Sequence, residues 1–140
     1  MDRIDIMQSQ NFEFLRGTWP ELASLAGFAE HYAYLDPQSA LTKLRNFAER
    51  SVTIVYSQLG LPRPPQAAFM EQLTNASFEA VTPKVIIDKL HALRIHGNKA
   101  AHGDKVTEQS ALWLLKESFD IGRWLWATYA NGNIQGLTDY

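Results

Sequence analysis

Apolar residues in this chain recur every three or four positions, which is the spacing of one face of an α-helix. Two stripes are the clearest. One is formed by Leu41, Leu44, Ala48, Val52, Val55 and Leu59, the other by Ala111, Leu114, Leu115, Ser118, Leu125 and Tyr129. No stretch keeps the two-residue alternation typical of a half-buried β-strand. The pattern therefore predicts an all-α fold.

Boundary signals divide this pattern into a bundle of four longer helices plus a short helix. The longer helices are predicted near residues 19–35, 37–59, 83–96 and 107–131, and the short one near 66–73. Residues with side chains suited to N-caps precede the longer helices: Thr18, Asp36, Thr82 and Thr107. Glycines expected at C-terminal caps are Gly60, Gly97 and Gly132. We assign residues 1–17 to an N-terminal segment, 18–131 to the helical bundle domain, and 132–140 to a C-terminal tail or linker.

Composition narrows the class of protein. The chain has 140 residues, of which 46% are hydrophobic and 20% charged, as in an ordinary globular domain. It contains no cysteine, which excludes disulfides, thiolate catalysis and cysteine-based zinc sites. We find neither a signal-peptide pattern nor an apolar run long enough to span a bilayer, so a cytoplasmic protein without a membrane partner is expected.

The stretch "LRIHGNKAAHG" at residues 93–103 stands out against this background. The formal net charge of the chain is −2, yet residues 84–105 carry five Lys or Arg side chains against two Asp. Three of the four histidines, His91, His96 and His102, lie in the same segment. A solvated helix face explains this local basic character at least as well as a binding site does.

Common catalytic motifs are absent. The chain has no GxxxxGK[ST] phosphate loop, no HExxH zinc helix and no GxSxG nucleophile elbow. It also lacks the paired carboxylates of a metal-dependent nuclease, and no carboxylate spacing accompanies the histidines. We therefore expect no catalytic residues, no metal and no cofactor in this domain.

Arg94, Asn98 and His102 are spaced so that an unbroken helix would place them on one stripe. An arginine and a histidine on one face can bind phosphate, and such a histidine can act as a general base. Alternatively, the three residues form a polar joint with Arg45 and Glu49, because buried charges are generally paired. No nucleophile or second base accompanies them, so the pattern favours the joint over catalysis.

The final helix presents a second candidate surface. Trp113 and Trp124 fall opposite its apolar stripe, among charged residues, and lie eleven positions apart, about three turns. If no other segment covers them, two tryptophans in such a setting are typical of an interface anchor. We predict that they form a docking face.

Three ordered motifs resemble the N-terminal region of the restriction (R) subunit of type I restriction–modification enzymes. They are "NFEFL" at residues 11–15, "DPQSALTKLRNFAE" at 36–49 and "LRIHGNKAAH" at 93–102, within a resemblance that covers about residues 11–130. The chain is also similar to the wider HEPN class of helical domains. The resemblance implies an HEPN-like bundle that acts as a non-catalytic accessory domain in intra- or inter-subunit docking, with contact to DNA as a secondary role.

The resemblance further implies a much longer parent protein, an ATP-dependent DNA-translocating endonuclease. ATP and Mg²⁺ would then act in the parent's nuclease and motor domains. The implied partners are the remainder of the R subunit and the methylase and specificity subunits, with DNA reached through the complex.

Two alternatives stay open. The first is a free-standing HEPN-like RNA-binding protein or ribonuclease. HEPN ribonucleases carry an arginine and a histidine closer together than Arg94 and His102, which have seven residues between them. This spacing disfavours ribonuclease activity, although Asn98 to His102 retains part of the motif. The second alternative is a plain helical dimerisation module.

Overall fold

A computed structural model describes residues 7–62 and 68–140, and there the chain is an all-α bundle, as predicted. The six helices of this part are α1 Pro20–Tyr32, α2 Pro37–Leu59, α3 Phe69–Thr74, α4 Ala76–Val81, α5 Lys84–Ala101 and α6 Glu108–Tyr129. Short 3₁₀ turns lie at Glu13–Leu15 and Ile134–Gly136. The four long helices form the bundle, and α2 packs against α1, α5 and α6.

Two of the four predicted N-caps are confirmed. The side chain of Asp36 accepts a hydrogen bond from the Ser39 backbone N–H, and Thr107 accepts one from Ser110. The other two predictions are wrong. Trp19 and Pro83 are the N-cap residues of α1 and α5, and neither Thr18 nor Thr82 caps the helix that follows it. Neither cap uses a side-chain acceptor: Pro20 is the first residue of α1, where its fixed φ suits the helix, and in α5 a proline is itself the cap residue.

The predicted cap at Gly60 is confirmed, because it ends α2 with a left-handed φ of 60°. At the end of α6 the left-handed residue is Asn131, with φ 55°. Gly132, the predicted cap, is therefore not the left-handed residue. Glycine is needed there because a Cβ would collide with the Trp126 indole. The third predicted cap, at Gly97, is wrong.

Helix α5 continues through Gly97 as far as Ala101. It ends in a Schellman motif, in which Gly103 N–H donates to Ala100 O and Asp104 N–H donates to Lys99 O. Gly103 supplies the left-handed residue, with φ 83°. The helix is therefore longer than the predicted 83–96, and Arg94 and Asn98 lie on one unbroken helix, with His102 at its C-cap.

The short helix predicted near 66–73 corresponds to α3, and a second short helix, α4, follows it that the sequence did not predict. α3 and α4 are six residues each and meet at Asn75, whose side chain caps α4 by accepting from Ser77 N–H. They contribute buried Phe69, Leu73 and Phe78 to the core. Residues 66 and 67 of the predicted helix lie outside the described residues.

Residues 7–15 of the N-terminal segment pack into the bundle. Phe12 and Leu15 are fully buried, and the Phe12 ring meets the rings of Phe47 and Phe119 edge-on, each at 5.7 Å. The Glu30 carboxylate of α1 accepts four hydrogen bonds from residues 9–11. We call residues 7–12 the strap. The structure therefore adds this segment to the core of the domain.

Helices α5 and α6 are joined by an ion-pair network. Lys89 Nζ lies 2.6 Å from Glu117 and 3.1 Å from Asp120, and Lys116 also binds Asp120, at 2.6 Å. Burial alone would raise the pKa of Asp120, but hydrogen bonds from Lys116 and Lys89 hold that pKa below its ordinary value. Asp120 is therefore ionised in the folded protein at neutral pH.

Candidate functional site

Gly97 brings α5 close to α2 at the centre of the 93–102 motif. A Cβ at Gly97 would lie 2.5 Å from Arg45 Cβ, closer than any real side-chain contact. Arg45 Cβ is the root of its side chain and moves only with the α2 backbone. The glycine is thus required by close packing between α5 and α2.

Arg45 interacts with two side chains near this close approach. It pairs with Glu49 one turn along α2, and its guanidinium carbon lies 5.9 Å from the centre of the Phe69 ring of α3. Its Nε is buried and has no hydrogen-bond partner among the described residues. The Arg45 side chain therefore ties α2 to α3 and α5 by packing as much as by charge.

The expected pair between Glu49 and Arg94 is not formed. Arg94 Nε instead donates to His91 Nδ1 one turn back on α5, at 3.4 Å. Burial, and then the neighbouring Arg94 charge, lower the pKa of His91, which favours a neutral imidazole able to accept this bond. Sequence reasoning missed His91, although its three-residue spacing from Arg94 was a usable signal.

Asn98 and His102 stand apart from this pair. Asn98 is partly buried, while His102 is exposed at the C-cap of α5. Arg94 and His102 are eight residues apart, so about 12 Å of helix separates their backbones. Within residues 7–62 and 68–140, no cluster of His, Asp and Glu has metal-binding geometry. The structure thus brings Arg45 to Glu49 and Arg94 to His91, and leaves His102 in solvent.

The two tryptophans of the predicted docking face differ in environment. Trp113 is 46% exposed, and its ring lies 5.3 Å from that of His96 at a right angle. Trp124 is partly buried, packs against the core and meets the Tyr129 ring at 5.7 Å. Burial and the charge of Lys99 lower the pKa of His96, so a neutral ring lies against the indole. Trp113 is therefore the more accessible anchor.

Two further features of the described part concern membrane insertion and surface grooves. None of its helices has the length and hydropathy needed to cross a bilayer. A groove of about 510 Å³ lies between α1 and α2, on a face that includes Lys43 and Arg50. Sequence reasoning did not single out this groove, because its two walls belong to different helices and only their packing brings them together.

One curated protein bears on the family. The chain is 30% identical over 119 residues to the type I restriction enzyme EcoKI endonuclease subunit of Escherichia coli strain K12. The match covers 85% of this chain but 10% of that subunit, so the chain spans about a tenth of its relative's length. No family model matches the chain, and no solved structure does.

This match makes the chain a distant relative of one region of a type I restriction endonuclease subunit. It agrees with the resemblance carried by the three sequence motifs. Membership of the HEPN class receives no support from the comparisons and stays a prediction.

Proposed function

We propose that this chain is a non-catalytic accessory domain of the R subunit of a type I restriction enzyme, and that it docks onto the rest of that subunit or its partner subunits. The relationship to the EcoKI endonuclease subunit over 85% of the chain supports this setting. The activity of the whole enzyme, with its ATP and Mg²⁺, would then lie in other domains.

One observation supports the non-catalytic role: in each of the three motifs that resemble an R subunit, residues form the core, a helix cap or a close contact between helices. Phe12 and Leu15 of the first motif are fully buried, and Asp36 of the second caps α2. Gly97 of the third permits the close approach of α5 to α2. A domain with a structural role is expected to keep the residues that form its core, its helix caps and its helix contacts.

Trp113 is the anchor that we assign to docking. Its indole is large, rigid and 46% exposed, which fits the aromatic hot spots of protein interfaces. His96 lies beside it at the edge of this surface, as a polar residue whose imidazole is neutral at physiological pH. Trp124 would support this surface from its partly buried position.

The test is co-purification of the whole chain with the remaining R-subunit domains, the methylase subunit and the specificity subunit. We expect association, weakened about tenfold or more by Trp113→Ala. Tyr34→Ala is the matched control, because Tyr34 is also exposed, at 62%, and lies at the α1–α2 turn. Equal association of both variants with the wild-type level would refute the docking face.

A ribonuclease of the HEPN-like type is the alternative, supported by the Arg94 guanidinium, which has no carboxylate partner in the described part of the chain. We expect the chain to cleave neither DNA nor RNA and not to hydrolyse ATP. Metal-independent cleavage of RNA that His102→Ala abolishes would overturn this expectation and establish the alternative.

A further inference from the structure

The solvent-facing side of α2 offers hydrogen-bond donors along the groove that it forms with α1. Lys43, Asn46 and Arg50 line one wall, one helical turn after another. Leu25 and Phe28 of α1 form the apolar part of the opposite wall. The groove therefore combines a row of donors with a short apolar surface.

Most of these donors are available to a ligand. Lys43 Nζ lies 5.0 Å above the Phe28 ring and pairs with no carboxylate among the described residues. The exposed Asn46 amide has no hydrogen-bond partner there. Arg50 binds Glu21 at 2.7 Å, but both side chains are about half exposed, so the other guanidinium N–H groups face solvent. Glu21 is the single carboxylate on the groove.

A second groove, of about 330 Å³, continues from Lys43 toward the C-terminal end of α5. Its neutral polar residues are Gln38, Ser39 and Thr42. Their side chains already donate hydrogen bonds to Ala100 O, the Asp36 carboxylate and Gln38 O, so Lys43 is the donor of this groove that a ligand can reach. From Gln38 to Arg50 the two grooves follow about 18 Å of helix. Glu21, paired with Arg50, is the single carboxylate that lines the two grooves, and Lys43, Asn46 and Arg50 are the donors left for a ligand.

This combination matches the groups that proteins use to contact phosphates, namely Lys, Arg and neutral amides and hydroxyls. Lys43 and Arg50 are seven residues apart, about 10 Å along the helix. Duplex DNA presents one phosphate per roughly 3.4 Å of axis on each strand, so a strand running along α2 would place several phosphates within reach. Contacts to phosphates fix the register of a nucleic acid but carry no sequence information directly.

We propose that the α1–α2 groove binds the phosphodiester backbone of a nucleic acid without sequence preference. Lys43 and Arg50 contact phosphates, and Asn46 donates to a phosphate oxygen between them. The inference goes beyond the docking role and does not depend on it, since neither Trp113 nor His96 lines the groove. Binding through two cations is weak and strongly dependent on salt.

The test uses fluorescence anisotropy with the whole 140-residue chain and labelled duplex DNA, single-stranded DNA and single-stranded RNA of mixed sequence. Lys43→Gln with Arg50→Gln is expected to weaken binding tenfold or more at low salt. Because each lost phosphate contact removes about 0.9 from the slope of log K against log salt, that slope should flatten by roughly 2. The three nucleic acids identify the preferred source of phosphate.

Lys84→Gln with Lys116→Gln is the matched control, because it also removes two exposed cations, from α5 and α6. Asn46→Glu adds a carboxylate to the groove without breaking an ion pair, and should weaken binding on its own. The proposal fails if no nucleic acid binds at 50 mM salt, or if the control weakens binding as much as the groove variant. It also fails if poly-glutamate binds as tightly as nucleic acid, which would indicate an acidic protein partner. None of these outcomes bears on the co-purification test.

Discussion

Replacing Gly97 by alanine tests whether close helix packing explains the centre of the 93–102 motif. The new Cβ would lie 2.5 Å from Arg45 Cβ, 2.9 Å from its Cδ and 3.0 Å from its Cγ. The two outer atoms can move by rotation of the Arg45 side chain. The Cβ cannot, so α5 and α2 have to separate.

Two effects of opposite sign decide the magnitude. Alanine is favoured over glycine inside a helix by about 1 kcal/mol. Overpacking of a well-packed contact costs about 1–3 kcal/mol, and a clash with an immobile atom belongs at the upper end of that range. The net expectation is that Gly97→Ala lowers the free energy of unfolding by about 2 kcal/mol.

Gly122→Ala is the matched control, because Gly122 is also inside a long helix and gains the same helical preference. Its nearest neighbour would be the Leu15 Cδ1 methyl at 3.2 Å, the flexible end of a side chain. We expect this variant to be within about 1 kcal/mol of wild type. Urea unfolding followed by circular dichroism measures both. If Gly97→Ala is as stable as Gly122→Ala, the close approach does not explain this glycine.

Three further predictions concern the strap, the tryptophans and acid stability. Glu30→Ala should lower the free energy of unfolding by about 2–3 kcal/mol and expose the strap to protease, because four donors lose a charged acceptor. Replacing the exposed Glu71 by alanine should change neither, and equal proteolysis of the two variants would contradict this. In thermal unfolding, Trp126→Ala should lower the stability by about 3 kcal/mol and Trp113→Ala by less than about 1 kcal/mol, because Trp126 packs against the core and Trp113 is exposed. The reverse order would contradict this reasoning. Asp120→Asn should be less stable than wild type at pH 7, and the difference should shrink below about pH 4, because the stabilisation from a lowered pKa is lost as the carboxylate is protonated; a difference independent of pH would rule out this contribution.

Local patterns were sufficient to find the four long helices, but not the end of α5 or the helix α4. The period of the apolar stripes placed the four long helices, because each must turn one face toward the core. Asp36, Thr107 and Gly60 marked helix ends correctly, since their cap geometry involves residues only a few positions away. The resemblance to a type I R subunit also came from the sequence, through motifs that the EcoKI match then supported.

Contacts between distant segments decided the rest. Gly97 has the local signature of a helix end, yet its role depends on Arg45, 52 positions earlier in the chain. The strap has no helical period, so its burial became visible only when Glu30 and Phe47 were placed beside it. Trp113 and Trp124 both lie opposite the apolar stripe of α6, but the rest of the domain buries Trp124 more than Trp113. A periodic pattern shows which face of a helix is apolar, whereas packing decides which neighbour covers it and how closely the backbones approach.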